Sequence, residues 1–378
     1  MNPIRLNIVA FDVPWPPHYG GICDLYFKLK HLHQAGVKII YHCFFYEGHN
    51  KPTDELNKFC EKVFYYRRKK SFVQVLFNRL PYIVISRKDP ELLKNLASNE
   101  HPILFDGIQT CYYLNHPQLK NRKRLVRANN VEHLYYEGLA KSEASVFKRL
   151  YLRREAAKLQ KFESELKGVD AILCVTKMDM SHFGKLAPTF YVHPFFNDDV
   201  KTISTPEVTG SRFVLFHGNL SVNENVAAAN YILDKVAPVS PHQFIIAGHQ
   251  CSGQLAEKIA KLKNVELRNS PEQNEMDALI RDAHVHLLLT DQQTGIKLKL
   301  LHALRSGKHV LINSLMDDSG IFSGLCDVAD DVDHLTGKLD VLMNTPFGPE
   351  ESRKRLENFD AYFNNTRNAA SILSILNE

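Results

Sequence analysis

The chain has 378 residues, of which 44% are hydrophobic and 24% are charged, and its formal net charge is +5. This length exceeds one ordinary core, so two domains are expected. No apolar run approaches the ~20 residues that a membrane-spanning helix needs. The seven cysteines are scattered and none forms C-x-x-C, so neither a disulfide framework nor a zinc site is indicated.

Apolar runs alternate with amphipathic stretches, which predicts an α/β protein with mostly parallel sheets. The first series of predicted strands is Leu6–Phe11, Val37–Cys43, Ile103–Phe105, Leu125–Arg127 and Ala171–Val175. The polar stretch 198–211 then predicts an interdomain linker. The second series is Arg212–His217, Gln243–Ala247, Val265–Arg268, Val285–Thr290 and His309–Asn313. The end of the chain, 349–377, has a helical pattern.

The two halves of the chain carry opposite charge. Residues 1–192 hold 30 Lys and Arg against 18 Asp and Glu, whereas residues 193–378 hold 17 against 24. The basic residues cluster at 67–70, 120–127 and 148–161. Such a surface suits an anionic membrane or a phosphorylated acceptor, and the alternative is a set of solvated helix faces. The clusters lack the regular aromatic interleaving of a nucleic-acid binder.

The first predicted strand occupies the N-terminus where a signal peptide would stand, so a cytoplasmic location is expected. After this strand, a proline-rich loop contains His18 and leads to Gly20 and Gly21, which open a helix. Glycines at a helix N-terminus let the backbone approach a ligand closely. The alternative is an ordinary strand-to-helix turn.

A polar segment follows the predicted strand Leu125–Arg127. It contains Arg127, Asn129, Asn130, Glu132 and His133. Open α/β sheets place ligands at the carboxyl ends of their strands, so these five side chains are candidates for a cleft. The alternative is that Asn130 caps the next helix and Glu132 pairs with a nearby cation.

In the second half, the segment from His217 to Asn225 follows a predicted strand and leads into a helix. Gly218 permits a close backbone approach, and Asn219 lies beside it. Gly248 follows the strand QFIIA, and Arg268 ends the strand after that.

The most informative segment runs from Thr294 to Asn313. Thr294, Gly295 and Ile296 form a turn, and a helix with Lys297 and Lys299 at its start follows. Backbone N–H groups and two ammonium groups at one helix start suit an anion with several oxygens, such as a diphosphate. The alternative is an ordinary helix with solvated lysines.

The last segment resembles the donor-site signature of GT-B glycosyltransferases of the family 4 type, which often reads G-x-K/R-x-K-x-L-E-A-x-x-x-G-K-P-V. The matching residues are Gly295, Lys297, Lys299, Leu301, Ala303, Gly307, Lys308 and Val310. The segment around Asn130 is similar to the R-x-H-N-V-E-H pattern of the same family. Two departures are His302 and Thr294, which stand where the family has the two glutamates of its E-x7-E pair. The family's diphosphate-binding Arg and Lys after Gly218 are also absent.

The resemblance implies an α/β GT-B fold of two facing doubly wound Rossmann-like domains with a cleft between them. The expected domains are 1–195, with a C-terminal helix at about 353–378 crossing back to it, and 196–352. The implied activity is retaining transfer of a hexosyl unit from a nucleotide-diphosphate sugar to a glycan or lipid-linked acceptor in surface polysaccharide synthesis, without a metal or other cofactor. Localisation is expected to be cytoplasmic, peripheral at the inner membrane face, with weak anionic membrane contact and no nucleic acid.

The resemblance also implies roles for the candidate residues. Asn129, Glu132 and Lys297 are the catalytic candidates. The acceptor-binding candidates are His18, Arg127, Asn130 and His133. The donor-binding candidates are Gly20, Gly21, Gly218, Asn219, Gly248, Arg268, Thr294, Gly295, Ile296, Lys297, Lys299 and His302. His302 is expected to contact the donor ribose in place of the family's Glu, as a neutral imidazole beside Lys299.

Two other classes fit the same sequence. The absent glutamates leave open a catalytically weak protein that binds nucleotide sugars as a partner. A GT-B UDP-sugar epimerase shares the architecture and would hydrolyse or isomerise the donor without an acceptor.

Overall fold

A computed structural model describes residues 3–17, 20–69, 78–143, 145–199, 212–291, 297–317 and 320–378. The chain divides into two compact units. The first contains the described residues of Met1–Phe195 together with Asn364–Glu378. The second contains those of Phe196–Gln293 and Lys297–Phe363.

Within the described ranges, the first unit has a parallel sheet of seven strands in the order β3-β2-β1-β4-β5-β6-β7. Its strands are β1 (Arg5–Ala10), β2 (Lys38–Phe45), β3 (Cys60–Arg67), β4 (Ile103–Asp106), β5 (Arg124–Ala128), β6 (Ala171–Cys174) and β7 (Thr189–Tyr191). Its helices are α1 (Gly20–Gln34), α2 (Tyr82–Ile85), α3 (Pro90–Ala97), α4 (Glu132–Ser142), α5 (Val146–Phe162) and α6 (Lys177–Phe183). A 3-10 turn, Glu163–Leu166, extends α5.

The second unit repeats this plan with a six-stranded parallel sheet over its described residues. Its strands are β8 (Phe213–His217), β9 (Gln243–Gly248), β10 (Val265–Asn269), β11 (Val285–Leu288), β12 (His309–Ile312) and β13 (Asp327–Val328). Its helices are α7 (Asn223–Tyr231), α8 (Gly253–Ile259), α9 (Gln273–Asp282), α10 (Leu298–Ser306), α11 (Val332–Asn344) and α12 (Pro349–Tyr362). The order β10-β9-β8-β11-β12-β13 reverses direction between β8 and β11, which is where doubly wound sheets bind ligands.

Both faces of the central strands are buried, as parallel sheets require. In β1, Leu6 and Ile8 belong to one apolar cluster, and Val9 belongs to the cluster on the opposite face. The prediction of two doubly wound α/β domains is confirmed. The sequence pattern missed β3, β7 and β13, which lie at sheet edges and are only partly buried.

The expected single C-terminal helix is two helices in the structure. The first is α12, and the second is α13 (Asn365–Asn377), which belongs to the first unit. Asn364 separates them because its side chain caps α13 by accepting a hydrogen bond from the Arg367 N–H. Ala369 and Ile372 of α13 join the apolar cluster of Leu25 on α1.

No helix in the described ranges is both long and apolar enough to span a membrane. Of the predicted linker, only Asp198 and Asp199 fall within the described residues.

Candidate functional site

The candidate site of the second unit lies where β8 and β11 end, at the reversal of the strand order. Gly218 follows β8, and α7 begins five residues later. Thr290 follows β11, and Lys297 is the residue immediately before α10. The predicted Thr294, Gly295 and Ile296 lie outside the described residues.

Glu224, in the first turn of α7, contacts both segments that follow β11. Its Oε1 lies 3.2 Å from the Nζ of Lys297 and accepts a hydrogen bond from the Thr290 hydroxyl. Burial opposes ionisation of Glu224, but the charge of Lys297 and these hydrogen bonds hold its pKa below the ordinary value. Lys297 therefore faces an ionised carboxylate.

Lys299 is more buried than a solvated lysine at the start of a helix would be. Its Nζ donates a hydrogen bond to Asn225 Oδ1 at 2.8 Å and lies 5.1 Å from the centre of the Phe216 ring. Burial lowers the pKa of Lys299 to about 8, with Glu224 opposing the shift and Lys297 adding to it. The two lysines thus differ in their partners. Lys297 faces the Glu224 carboxylate, whereas Lys299 donates to the neutral side-chain amide of Asn225.

His302 lies in α10 with its Nε2 3.9 Å from Asp277 Oδ1. This Nε2 is buried and has no hydrogen-bond partner among the described residues. Burial lowers the pKa of His302, and Asp277 opposes the shift. The imidazole is neutral as expected, but burial is the main cause and not the expected neighbouring Lys299.

The two glycines of the site are required by chain packing. A Cβ at Gly248 would lie 1.8 Å from the carbonyl oxygen of Gly218, and one at Gly218 would lie 2.9 Å from the Asn225 side chain. Asn219 is held within its own loop, where its Oδ1 accepts a hydrogen bond from the Ser221 N–H at 2.9 Å. Arg268 is exposed and pairs with Glu266 at 2.7 Å.

In the first unit, Gly20 and Gly21 begin α1 as predicted from the sequence, and His18 lies outside the described residues. Arg127 is fully buried. It donates hydrogen bonds to the carbonyl of Val192 at 2.7 Å and to Asp24 Oδ1 at 3.3 Å. Its guanidinium therefore stabilises the interior of the unit.

The other first-unit candidates lie between β5 and α4. Asn129 and Asn130 are half-buried, and His133 is buried with its Nδ1 2.6 Å from Glu163 Oε1. Burial raises the pKa of Glu132 to about 7, and a hydrogen bond from Asn130 opposes this shift. Asn130 therefore forms a hydrogen bond with Glu132 and does not cap α4. The N-cap residue of α4 is Val131, which makes no side-chain cap.

Sequence reasoning missed three residues at the second-unit site: Glu224, Thr290 and Asp277. The available signals were an acidic residue in the first turn of a predicted helix and a hydroxyl at the end of a buried strand. Neither signal identifies the partner, because the pairing of Glu224 with Lys297 joins segments 73 positions apart in the sequence.

Comparison with known proteins agrees with this architecture. Residues 211–343 match the family model described as glycosyl transferases group 1. A relative from Klebsiella pneumoniae, described as an uncharacterized 44.6 kDa protein in the cps region, is 24% identical over 331 residues. The match covers 82% of this chain and 83% of that protein.

Similar solved structures cover the whole chain. Sucrose-phosphate synthase from Thermosynechococcus elongatus has a TM-score of 0.73 at 14% identity, over 99% of this chain and 98% of that one. A mutant of S. aureus TarM, in complex with fondaparinux, alpha-GlcNAc-glycerol and UDP, has a TM-score of 0.66 at 12% identity over 100% of both chains.

These likenesses and the two parallel sheets define a GT-B fold protein. Within this fold, residues 211–343 match the model of the glycosyl transferases group 1, the family that the sequence motifs resemble.

Proposed function

We propose that the protein is a retaining glycosyltransferase that moves a hexosyl unit from a nucleotide-diphosphate sugar to a glycan or lipid-linked acceptor. The observation that carries this proposal is the position of Lys297. It lies directly before α10 and after β11, within reach of an anion at the point where the strand order reverses. The UDP in the solved TarM complex supports a nucleotide as a ligand of this fold.

Departure of the nucleoside diphosphate leaves negative charge that must be stabilised. We assign this role to Lys297 and to the N-terminal dipole of α10. Preorganised charge of this kind lowers the barrier without a metal ion or other cofactor, as the family resemblance implies.

In the first unit, we assign proton transfer at the acceptor to Glu132. A carboxyl with a pKa of about 7 exchanges protons efficiently near neutral pH. Asn129, half-buried after β5, is proposed to orient the acceptor.

The relative encoded in a cps region supports a role in surface polysaccharide synthesis. The surface of α5 supports peripheral membrane contact at the inner face. Val146, Phe147 and Leu150 are 70%, 88% and 67% exposed, and the basic residues Arg153 and Arg154 lie on the same helix. Apolar anchors beside basic residues suit an anionic bilayer surface.

The three basic clusters do not contribute equally to such a surface. In the cluster 120–127, Arg122 donates to the His101 carbonyl at 2.8 Å, and Arg124 donates to the Leu114 carbonyl at 3.1 Å. Together with Arg127 they are buried. For the arginines of this cluster the expectation of a basic surface is therefore wrong, because they satisfy backbone carbonyls inside the unit, whereas Lys120 is exposed.

A second function, nucleotide-sugar binding with little catalysis, is favoured by one observation. Glu224 already forms an ion pair with Lys297, so its carboxylate neutralises part of the positive charge that would bind a phosphate. The departure at His302 adds to this alternative.

The deciding experiment is incubation of the protein with UDP-hexoses and GDP-hexoses, with and without a lipid-linked acceptor. We expect transfer only with acceptor. Binding without turnover would favour the partner protein, and donor conversion without acceptor would favour an epimerase. Glu132→Gln is expected to lower the transfer rate by about 100-fold at unchanged UDP affinity, whereas Glu137→Gln, at an exposed position of α4, is the matched control.

A further inference from the structure

Three metal-ligating side chains meet in the first unit, outside the proposed donor site. His133 comes from α4, Glu163 from the turn that extends α5, and His182 from α6. Glu163 Oε1 lies 2.6 Å from His133 Nδ1, and its Oε2 lies 2.8 Å from His182 Nε2. One ligand atom of each residue lies within 4.8 Å of those of the other two.

We propose that His133, Glu163 and His182 bind a divalent transition-metal ion, with zinc as the preferred ion. Two imidazoles and one carboxylate form a donor set that zinc accepts, and a water completes four-coordination. His182 is one-third exposed, which gives that water and the entering ion a path from solvent, whereas the other two ligands are buried.

The present spacing is that of hydrogen bonds. Ligand atoms at about 2.1 Å from a tetrahedral zinc ion lie roughly 3.4 Å from each other. The separations of 2.6 and 2.8 Å, each to a different oxygen of Glu163, need to widen by less than an ångström, and the ligand atoms of the two histidines lie within 4.8 Å of each other. The imidazole nitrogens that now face the carboxylate would then bind through their lone pairs.

The local charge favours a cation. Glu163 and Asp179 both lie near enough to Glu132 to interact with it electrostatically, and Arg87 acts on Glu132 in the opposite sense. A divalent ion would offset the charge of the Glu163 carboxylate in this mostly buried setting.

The bound ion would join α4, α5 and α6 behind the strands β5 and β6, which these helices follow. Its role is to stabilise the first unit. This inference does not depend on the proposed function, because it concerns residues of one unit and its test needs no donor.

The test is titration of the chelator-treated, full-length protein with Co²⁺ and Zn²⁺. We expect one Co²⁺ per chain, with visible absorption bands of a four-coordinate ion that Zn²⁺ abolishes by competition. We also expect zinc to raise the melting temperature. His182→Gln should weaken zinc affinity at least tenfold and remove the thermal shift. His334→Gln, at a histidine that is 78% exposed and paired with Asp331, should leave both unchanged.

Glu163→Gln provides a second variant that keeps the size of the side chain but supplies no carboxylate. It should lose zinc affinity while circular dichroism reports a folded protein. The proposal is overturned if the wild-type protein binds no zinc, or if His182→Gln binds zinc as tightly as the wild type does.

Discussion

The carboxylate of Glu224 lies 3.2 Å from the ammonium group of Lys297, and the Thr290 hydroxyl holds it there. This pair joins the helix after β8 to the helix after β11, across the point where the strand order reverses. An incoming diphosphate must therefore share Lys297 with an internal carboxylate or displace it.

Lys297→Met is expected to weaken UDP and GDP binding by about tenfold or more, because a charged hydrogen bond contributes roughly 1.5–3 kcal/mol. Isothermal titration of both nucleotides measures the change. Lys263→Met, at an exposed lysine of the same unit, is the control. Unchanged affinity for both nucleotides would remove the diphosphate assignment.

Glu224→Gln is expected to increase UDP affinity by about three- to tenfold, because like charge near a phosphate opposes binding by roughly 1 kcal/mol at a partly solvated site. The amide keeps a hydrogen-bond acceptor for Thr290. Glu257→Gln, at an exposed position of α8, controls for the loss of one negative charge from the unit. A loss of UDP affinity in the Glu224 variant would instead indicate that this carboxylate contacts the nucleotide.

Lys299 should make folding stability depend on pH. Burial lowers its pKa from 10.5 to about 8, so between these values the unfolded chain holds a proton that the folded chain has lost. Stability therefore rises with pH across this window. The unfolding free energy of the wild type, relative to Lys299→Met, should increase by up to about 3 kcal/mol between pH 8 and pH 10.5. Urea denaturation at pH 7.5, 8.5 and 9.5 tests this, and a constant difference would contradict the burial of a charged Lys299.

Phe147→Ser should reduce binding to anionic liposomes at low salt, because this side chain is 88% exposed on the basic helix α5. Each basic residue near such a surface contributes about 1 kcal/mol within a Debye length, so binding should also fall at high salt. Val341→Ser, at an exposed apolar residue of the second unit, is the control. Equal binding to neutral and anionic liposomes, or no binding at low salt, would show that the basic residues of α5 form only a solvated face.

Much of the fold could be predicted because parallel strands buried on both faces have continuous apolar sequences. RLNIVA in β1 and HVLI in β12 are examples. The edge strand β3 was not predicted because three of its eight residues are exposed. Its charged residues hide the alternation of apolar and polar positions that marks a strand. The division between α12 and α13 depends on the cap at Asn364, a local signal that a continuous helical pattern conceals.

The sequence predicts which segments form the candidate site, but it does not predict which side chains of those segments contact each other. The position of Lys297 after β11 follows from the order of elements along the chain. The burial of Lys299 depends on which way α10 faces, and its contact with Asn225 depends on α7. Such pairings join distant segments, so no local pattern in the sequence specifies them.

His302 provides the sharpest remaining test of donor recognition. Its buried Nε2 has no hydrogen-bond partner among the described residues, although a buried polar nitrogen normally has one. A ribose hydroxyl of the donor would satisfy it. Because a neutral hydrogen bond contributes roughly 0.5–1.5 kcal/mol, His302→Ala should raise the KM for donor about two- to tenfold, with a smaller effect on kcat.

The matched control is His242→Ala. His242 is a half-buried histidine of the same unit that also has an aspartate neighbour, Asp340, at 2.6 Å. It precedes β9, so it lies at the opposite end of the sheet from the candidate site. We expect its variant to keep the wild-type KM. If both variants change the KM equally, or if His302→Ala leaves it untouched, the ribose assignment is wrong and His302 serves only in packing α10.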